Sequence, residues 1–240
     1  MRNHLQQFAT ATVIVAALIF SGCSFSLLPG SDSVIGGDPR SDPGSEPGAS
    51  PSPDPGSDPS QPGPGHIVPL TDGFDFPVGD RNGKGWGVTG YGFLEWSNYS
   101  GTWHPGEDWN MYGSPMADLG KPVYAVANGI VRFSGFNSTQ GNIIMVEHHL
   151  PDGSTVWSQY AHLQQRWVAE GEIVGRRQII GTVGRGPNNT FSPHLHFEIR
   201  IKYLPQNGWP RTNGQAWPKS KVLEYYADPT VFINSHRPET

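Results

Sequence analysis

Residues 36–65 contain seven Gly, nine Pro and six Ser, 22 of 30 positions, with Ala49 the sole apolar side chain. Such a stretch buries too little apolar surface to offset the entropy of ordering it. Low complexity is visible directly: Ser41-Asp42-Pro43-Gly44-Ser45 nearly recurs as Asp54-Pro55-Gly56-Ser57. Residues 66–240 are therefore the segment expected to fold, long enough for one sizeable core.

Charge divides along the same line. Residues 24–65 set Arg40 against Asp32, Asp38, Asp42, Glu46, Asp54 and Asp58, a balance of −5, and Arg2 adds +1 before them. The remaining 14 basic and 15 acidic groups leave residues 66–240 at −1, which brings the chain to −5. A near-neutral domain has no basic footprint for a phosphate backbone, so no nucleic-acid partner is expected.

The N-terminus reads as an address. After Arg2 comes the apolar run Ala11–Phe20, too short for a membrane span and suited to a signal-peptide core. Phe20-Ser21-Gly22-Cys23 resembles a bacterial lipobox, with Phe20 in place of the usual Leu. That resemblance implies removal of residues 1–22 and lipidation of Cys23, the only cysteine, which excludes an intramolecular disulfide. Residues 23–65 then form a lipid-anchored tether, in an extracytoplasmic, membrane-attached protein. A coil of about 42 residues spans roughly 35 Å on average, and about 130 Å as polyproline.

The folded part reads as all-β, a sandwich or barrel without a convincing helical period. Val123–Phe133 offers two apolar stretches around Asn128-Gly129, a hairpin signal. Asn142–His148 and Thr155–Leu163 follow, separated by the turn Pro151-Asp152-Gly153, and Gln178–Val183 is a further short strand. His194–Ile201 alternates over eight residues, with His194, His196, Glu198 and Arg200 on one face and Leu195, Phe197, Ile199 and Ile201 on the other. Residues 202–225 are polar, contain Pro, and give no clear assignment.

Four of the nine histidines sit in three short constellations. His104-Pro105-Gly106-Glu107-Asp108 has a ligand spacing of four, but Pro105-Gly106 argues against a helix, and alone the pair also suits a solvated loop. His162, in Tyr160-Ala161-His162-Leu163, also fits a structural role. His194 and His196, at i and i+2 on a polar strand face, are placed to reach one metal ion or its water. Together these residues supply a His, Asp, His ligand set and two spare histidines. Three protein ligands leave zinc's fourth position open, as a catalytic site requires, and the spare histidines suit proton transfer or oxyanion stabilisation. The chemistry indicated is hydrolysis.

The sequence here resembles the lysostaphin-type (LytM-like) zinc metallopeptidases, which cut peptidoglycan cross-bridges and stem peptides. The resemblance covers roughly residues 87–235. It rests on His104-x-x-x-Asp108, Gly120–Val131, Tyr160–Leu163, the glycine-punctuated Gly171–Gly184, His194-Leu195-His196-Phe197-Glu198 and a closing Asp228-Pro229. It implies a twisted antiparallel LytM-like domain with one zinc ion per chain, held by His104, Asp108 and His196. His162 and His194 match the two catalytic histidines, and a peptidoglycan peptide is the implied substrate. Some members of the family have lost catalysis and activate other wall hydrolases, so a regulator is the alternative.

Three segments depart from the family pattern: Gly184–Ser192, the aromatic insertion Tyr203–Tyr226 with Trp209 and Trp217, and the aromatic stretch Trp86–Trp103. They either shape a substrate groove or pack locally over a small β core. Glu107 matches a variable position and is not expected to be a ligand. His148 and His149 close a strand, while His66 and His236 are expected in flexible ends and His4 in the signal. Oligomeric state has no sequence signature here.

Overall fold

The computed structural model describes residues 67–239. The expected signal segment, Cys23, the tether and His66 lie outside these residues.

In chain order the elements are β1 (Trp86–Val88), β2 (Trp96–Ser97), β3 (Thr102–Trp103), β4 (Glu107–Met111), β5 (Pro122–Tyr124), β6 (Gly129–Asn137), β7 (Gly141–His149) and β8 (Thr155–Arg166). Then come β9 (Ile173–Val174), β10 (Ile179–Val183), β11 (Leu195–Arg200), β12 (Arg211–Thr212), β13 (Gln215–Ala216), α1 (Lys219–Tyr225), β14 (Tyr226–Ala227) and α2 (Pro229–Ser235). The main sheet runs β1-β4-β11-β8-β7-β6-β9, with β10 joining β8 to β5 and β14 beside β11. Every pair of named strands is antiparallel, as the family resemblance implies.

The turn Pro151-Asp152-Gly153 does connect β7 to β8. Asp152 Oδ1 accepts from the Ser154 amide at 2.8 Å, and Gly153 takes φ 87. The hairpin expected around Asn128-Gly129 does not form: β5 pairs β10, while β6 pairs β7 and β9. Asn128 instead cross-links loops, its Oδ1 accepting from the Arg176 amide and its Nδ2 donating to Asp72. Two short helices also appear where no helical period is visible. For α2 the signal is local: Asp228 caps it by accepting from the Val231 amide at 2.9 Å, and Pro229 opens it. His236 is ordered, stacked on Phe232 at 4.1 Å between ring centroids, which corrects its expected place in a flexible end.

Leu195, Phe197 and Ile199 enter the core with Val146, Tyr160 and Val183, as their alternation requires. Ile201, at the strand's end, is 40% exposed and leaves that pattern. The opposite face is also buried, with Glu198 and Arg200 fully enclosed. Burying such charges is costly unless they are paired and hydrogen-bonded, so this face needs a built polar network and a cover. Glu198 is paired within the strand, to His196 and Arg200, and the segment after β11 covers Arg200 with backbone carbonyls.

Candidate active site

Pairing of β4 with β11 brings the two distant motifs together, with His196 and Asp108 direct partners across the strands. His104 follows β3, its backbone bonded to Leu94 and Glu95, and a bend at Gly106 leads into β4. Gly106 is required by close approach: a Cβ there would lie 2.2 Å from the Phe197 carbonyl oxygen. On the other side of β11, His196 faces Ala161, which places His162 next to it. The β7–β8 register shifts between Asn142↔Leu163 and Ile144↔Tyr160, leaving an extra residue on β8 around Ala161-His162. His162 takes φ 63 there, a left-handed conformation rare for a residue with a side chain. The bulge turns its imidazole towards the site.

His104 Nε2 lies 2.9 Å from His196 Nδ1 and 3.2 Å from Asp108 Oδ1, and His196 Nδ1 is 3.0 Å from that same oxygen. All three side chains are buried. The outward atom of each is already engaged. His104 Nδ1 is 3.3 Å from the Gly92 carbonyl, His196 Nε2 is 2.9 Å from Glu198 Oε1, and Asp108 Oδ2 accepts from the Tyr91 amide at 3.3 Å. These acceptors fix the ring protons outward and aim two nitrogen lone pairs and a carboxylate oxygen at one point. Converging acceptors need a shared proton or a cation. An N₂O set with anchored imidazoles fits zinc.

His162 and His194 complete the cluster, their ring centroids 4.8 Å apart. His162 Nδ1 is 2.8 Å from the Gln140 carbonyl and His194 Nδ1 is 2.8 Å from that of Ser192, so each keeps Nε2 free. His194 Nε2 is 3.7 Å from Asp108 Oδ1. Burial, reinforced by His194 and His196, holds the His162 pKa well below the usual histidine range. Burial alone would lift the Asp108 carboxyl, but with no cation in the cluster His104 and His196 share protons with it, which outweighs burial and holds the pKa well below normal. His196 moves the other way: burial opposes its charge, yet Asp108 and Glu198 together raise it to about 9.

These groups open into a cleft of about 930 Å³ with aromatic walls formed by Tyr91, Tyr99, Phe191, Trp209 and Trp217. Each of the three departing segments contributes to it. Phe191 packs on His162 at 4.7 Å and Trp209 on His196 at 5.6 Å between centroids. A second cavity, about 680 Å³ beside Phe74, Leu150 and Arg176, holds none of the candidate site residues.

Four supporting residues were not legible in advance. Gly92 and Gln140 act through backbone carbonyls, which carry no side-chain signal. Glu198 and Arg200 alternate with His196, but nothing local distinguishes a buried polar face from a solvated one. Glu107 stands apart from the ligand group: its carboxylate accepts from Trp109 Nε1 and Thr230 Oγ1, and burial, aided by Asp228, raises its pKa to about 7. His148 is buried in a separate polar chain, 2.9 Å from the Asn128 carbonyl and 2.7 Å from Ser158 Oγ.

Residues 104–208 match the family model for peptidase family M23. Peptidoglycan DD-endopeptidase ShyC of Vibrio cholerae is 36% identical over 120 residues, 50% of this chain and 26% of that protein. Lipoprotein NlpD of Yersinia enterocolitica is 38% identical over 97 residues, 36% of this chain and 93% of that protein. Among solved structures, the catalytic domain of lysostaphin from Staphylococcus simulans aligns at 26% identity with a TM-score of 0.45, over 60% of this chain and 90% of that one. The match to ShyC spans only about a quarter of that relative's length.

Proposed function

The chain belongs to peptidase family M23, and from that premise we propose that it is a zinc metalloendopeptidase acting on amide bonds in peptidoglycan cross-links or stem peptides. The observation that carries this reading is the convergence of His104 Nε2, Asp108 Oδ1 and His196 Nδ1, each with its outer atom anchored. These three atoms would hold one zinc ion per chain. The chemistry such an ion supplies is polarisation of the scissile carbonyl and a lowered pKa for water.

The protein's own groups do the rest. His162 is neutral at physiological pH because burial depresses its pKa. With Nδ1 donating to Gln140, its Nε2 is the atom that accepts a proton from the attacking water. His194 Nε2 faces the same space and, with His162, returns that proton to the leaving amine. The aromatic walls orient the peptide and exclude water.

Location completes the proposal. A lipid on Cys23, exposed by removal of residues 1–22, would hold residues 66–240 on a tether within reach of the wall. The competing reading, a non-catalytic activator of other wall hydrolases, has no need for five converging catalytic groups. Residues 66–240 loaded with zinc should release new amino termini from purified peptidoglycan. An activator would release none, yet would raise a partner hydrolase's rate even as His196→Ala.

A further inference from the structure

Arg200 is fully buried on the strand that carries His196, with nothing in the proposed reaction for it to do. Its Nε donates to Glu198 Oε2 at 2.8 Å, while Glu198 Oε1 is 2.9 Å from His196 Nε2. The rest of the guanidinium faces the insertion. Nη1 donates to the carbonyls of Leu204 at 2.9 Å and Pro205 at 2.8 Å, and Nη2 to that of Gly208 at 3.4 Å. The next residue, Trp209, returns to the starting point, its ring 5.6 Å from that of His196 and 6.3 Å from that of His104. Contacts thus close a ring: His196, Glu198, Arg200, the 204–208 turn, Trp209 and His196 again.

We propose that Arg200 is a positioning residue that couples the metal ligand His196 to the 204–209 wall of the substrate cleft, so that filling the metal site orders the wall. A planar guanidinium can serve a carboxylate on one edge and three carbonyls on the others. A lysine ammonium has neither the reach nor the fixed geometry for both. Glu198 divides its two oxygens between the ligand and Arg200, so any shift of His196 on binding a cation is passed to the turn. The wall belongs to the aromatic insertion, so this device sets how the cleft receives its substrate. In its kinetic arm the proposal rests on the hydrolase reading. Its exchange arm does not.

The exchange arm follows amide hydrogen exchange across residues 204–209 in the zinc-free and zinc-loaded protein, by mass spectrometry. It uses Trp209→Ala, in which the direct contact between the wall and the ligands is gone. Zinc is expected to slow exchange in the turn by about tenfold, and this dependence is expected to vanish in Arg200→Lys carrying the same Trp209→Ala change. Turn exchange indifferent to zinc in Trp209→Ala alone would overturn the proposal, whatever becomes of the Arg200 variant's fold. In the kinetic arm, Arg200→Lys is expected to raise KM about tenfold, with the smaller part of the loss in kcat. A purely structural arginine would lower the unfolding midpoint and leave both KM and the zinc dependence of the turn as in the wild type.

Discussion

The carbonyl of Gln140 accepts two hydrogen bonds from His162, one from the backbone amide at 3.1 Å and one from Nδ1 at 2.8 Å. One acceptor therefore fixes both the bulged backbone and the imidazole of the same residue. Gln140 is itself held, its amide by Asn137 Oδ1 at 3.0 Å and its Oε1 by Gln159 Nε2 at 3.1 Å. The turn between β6 and β7 thus sets the tautomer of His162, and the φ of 63 at that residue is maintained by the bonds around it.

In the proposed reaction, replacing His162 removes the proton acceptor and leaves the three proposed ligands in place. His162→Ala is expected to lower kcat about 10²- to 10⁴-fold while retaining one zinc per chain. His196→Ala is expected to lose both the metal and turnover. Elemental analysis alongside a fragment-release assay separates the two. Loss of zinc in His162→Ala would contradict the proposed division between ligands and base.

Gly106 lets β4 approach β11 closely enough for His104 and Asp108 to reach His196. Gly106→Ala forces a methyl to 2.2 Å from the Phe197 carbonyl and 2.9 Å from Glu198 Cγ, contacts only a backbone shift can relieve. The expected destabilisation is about 1–3 kcal/mol, the usual range for overpacking. Zinc affinity should fall with it, because the strand that moves carries Asp108. Denaturant midpoints and chelator competition read the two effects, and an unchanged midpoint would contradict the steric argument.

His148 gives the fold a pH dependence of its own. Burial lowers its pKa from 6.5 to about 4, against the raising effects of the Asn128 carbonyl and Glu147, with His149 adding to the depression. Between these values the unfolded chain binds a proton that the folded chain refuses. The stabilisation is therefore complete above about pH 6.5 and is lost as pH falls towards 4, about 3 kcal/mol in all. In His148→Gln this slope is expected to flatten. Parallel slopes for both proteins in urea titrations between pH 4 and 7 would show that another group is responsible.

Much of this site is legible in the sequence because its chemistry needs particular side chains at short spacings. His104 to Asp108, His162, and the alternation from His194 to Glu198 are local patterns, and the structure brings all of them to one point. Pairing partners are another matter. Asn128-Gly129 looks like a hairpin turn, yet β5 finds β10 nearly sixty residues on, and a local motif carries no record of that. The polar face of β11 shows the same limit from another side. Glu198 and Arg200 alternate like solvent-facing residues, and only the fold places the 204–209 segment over them. Trp209 is legible as part of an aromatic insertion, but its place against His104 and His196 is a long-range contact with no local signal.

Zinc-dependent hydrolysis is tested by treating purified peptidoglycans of different cross-bridge types with zinc-loaded residues 66–240, with and without a chelator. Released fragments are identified by mass spectrometry. New amino termini are expected that disappear on chelation and return with added zinc, and the mass of the fragments names the bond. Zinc bound at one equivalent with no new termini from any peptidoglycan would contradict the proposed hydrolysis.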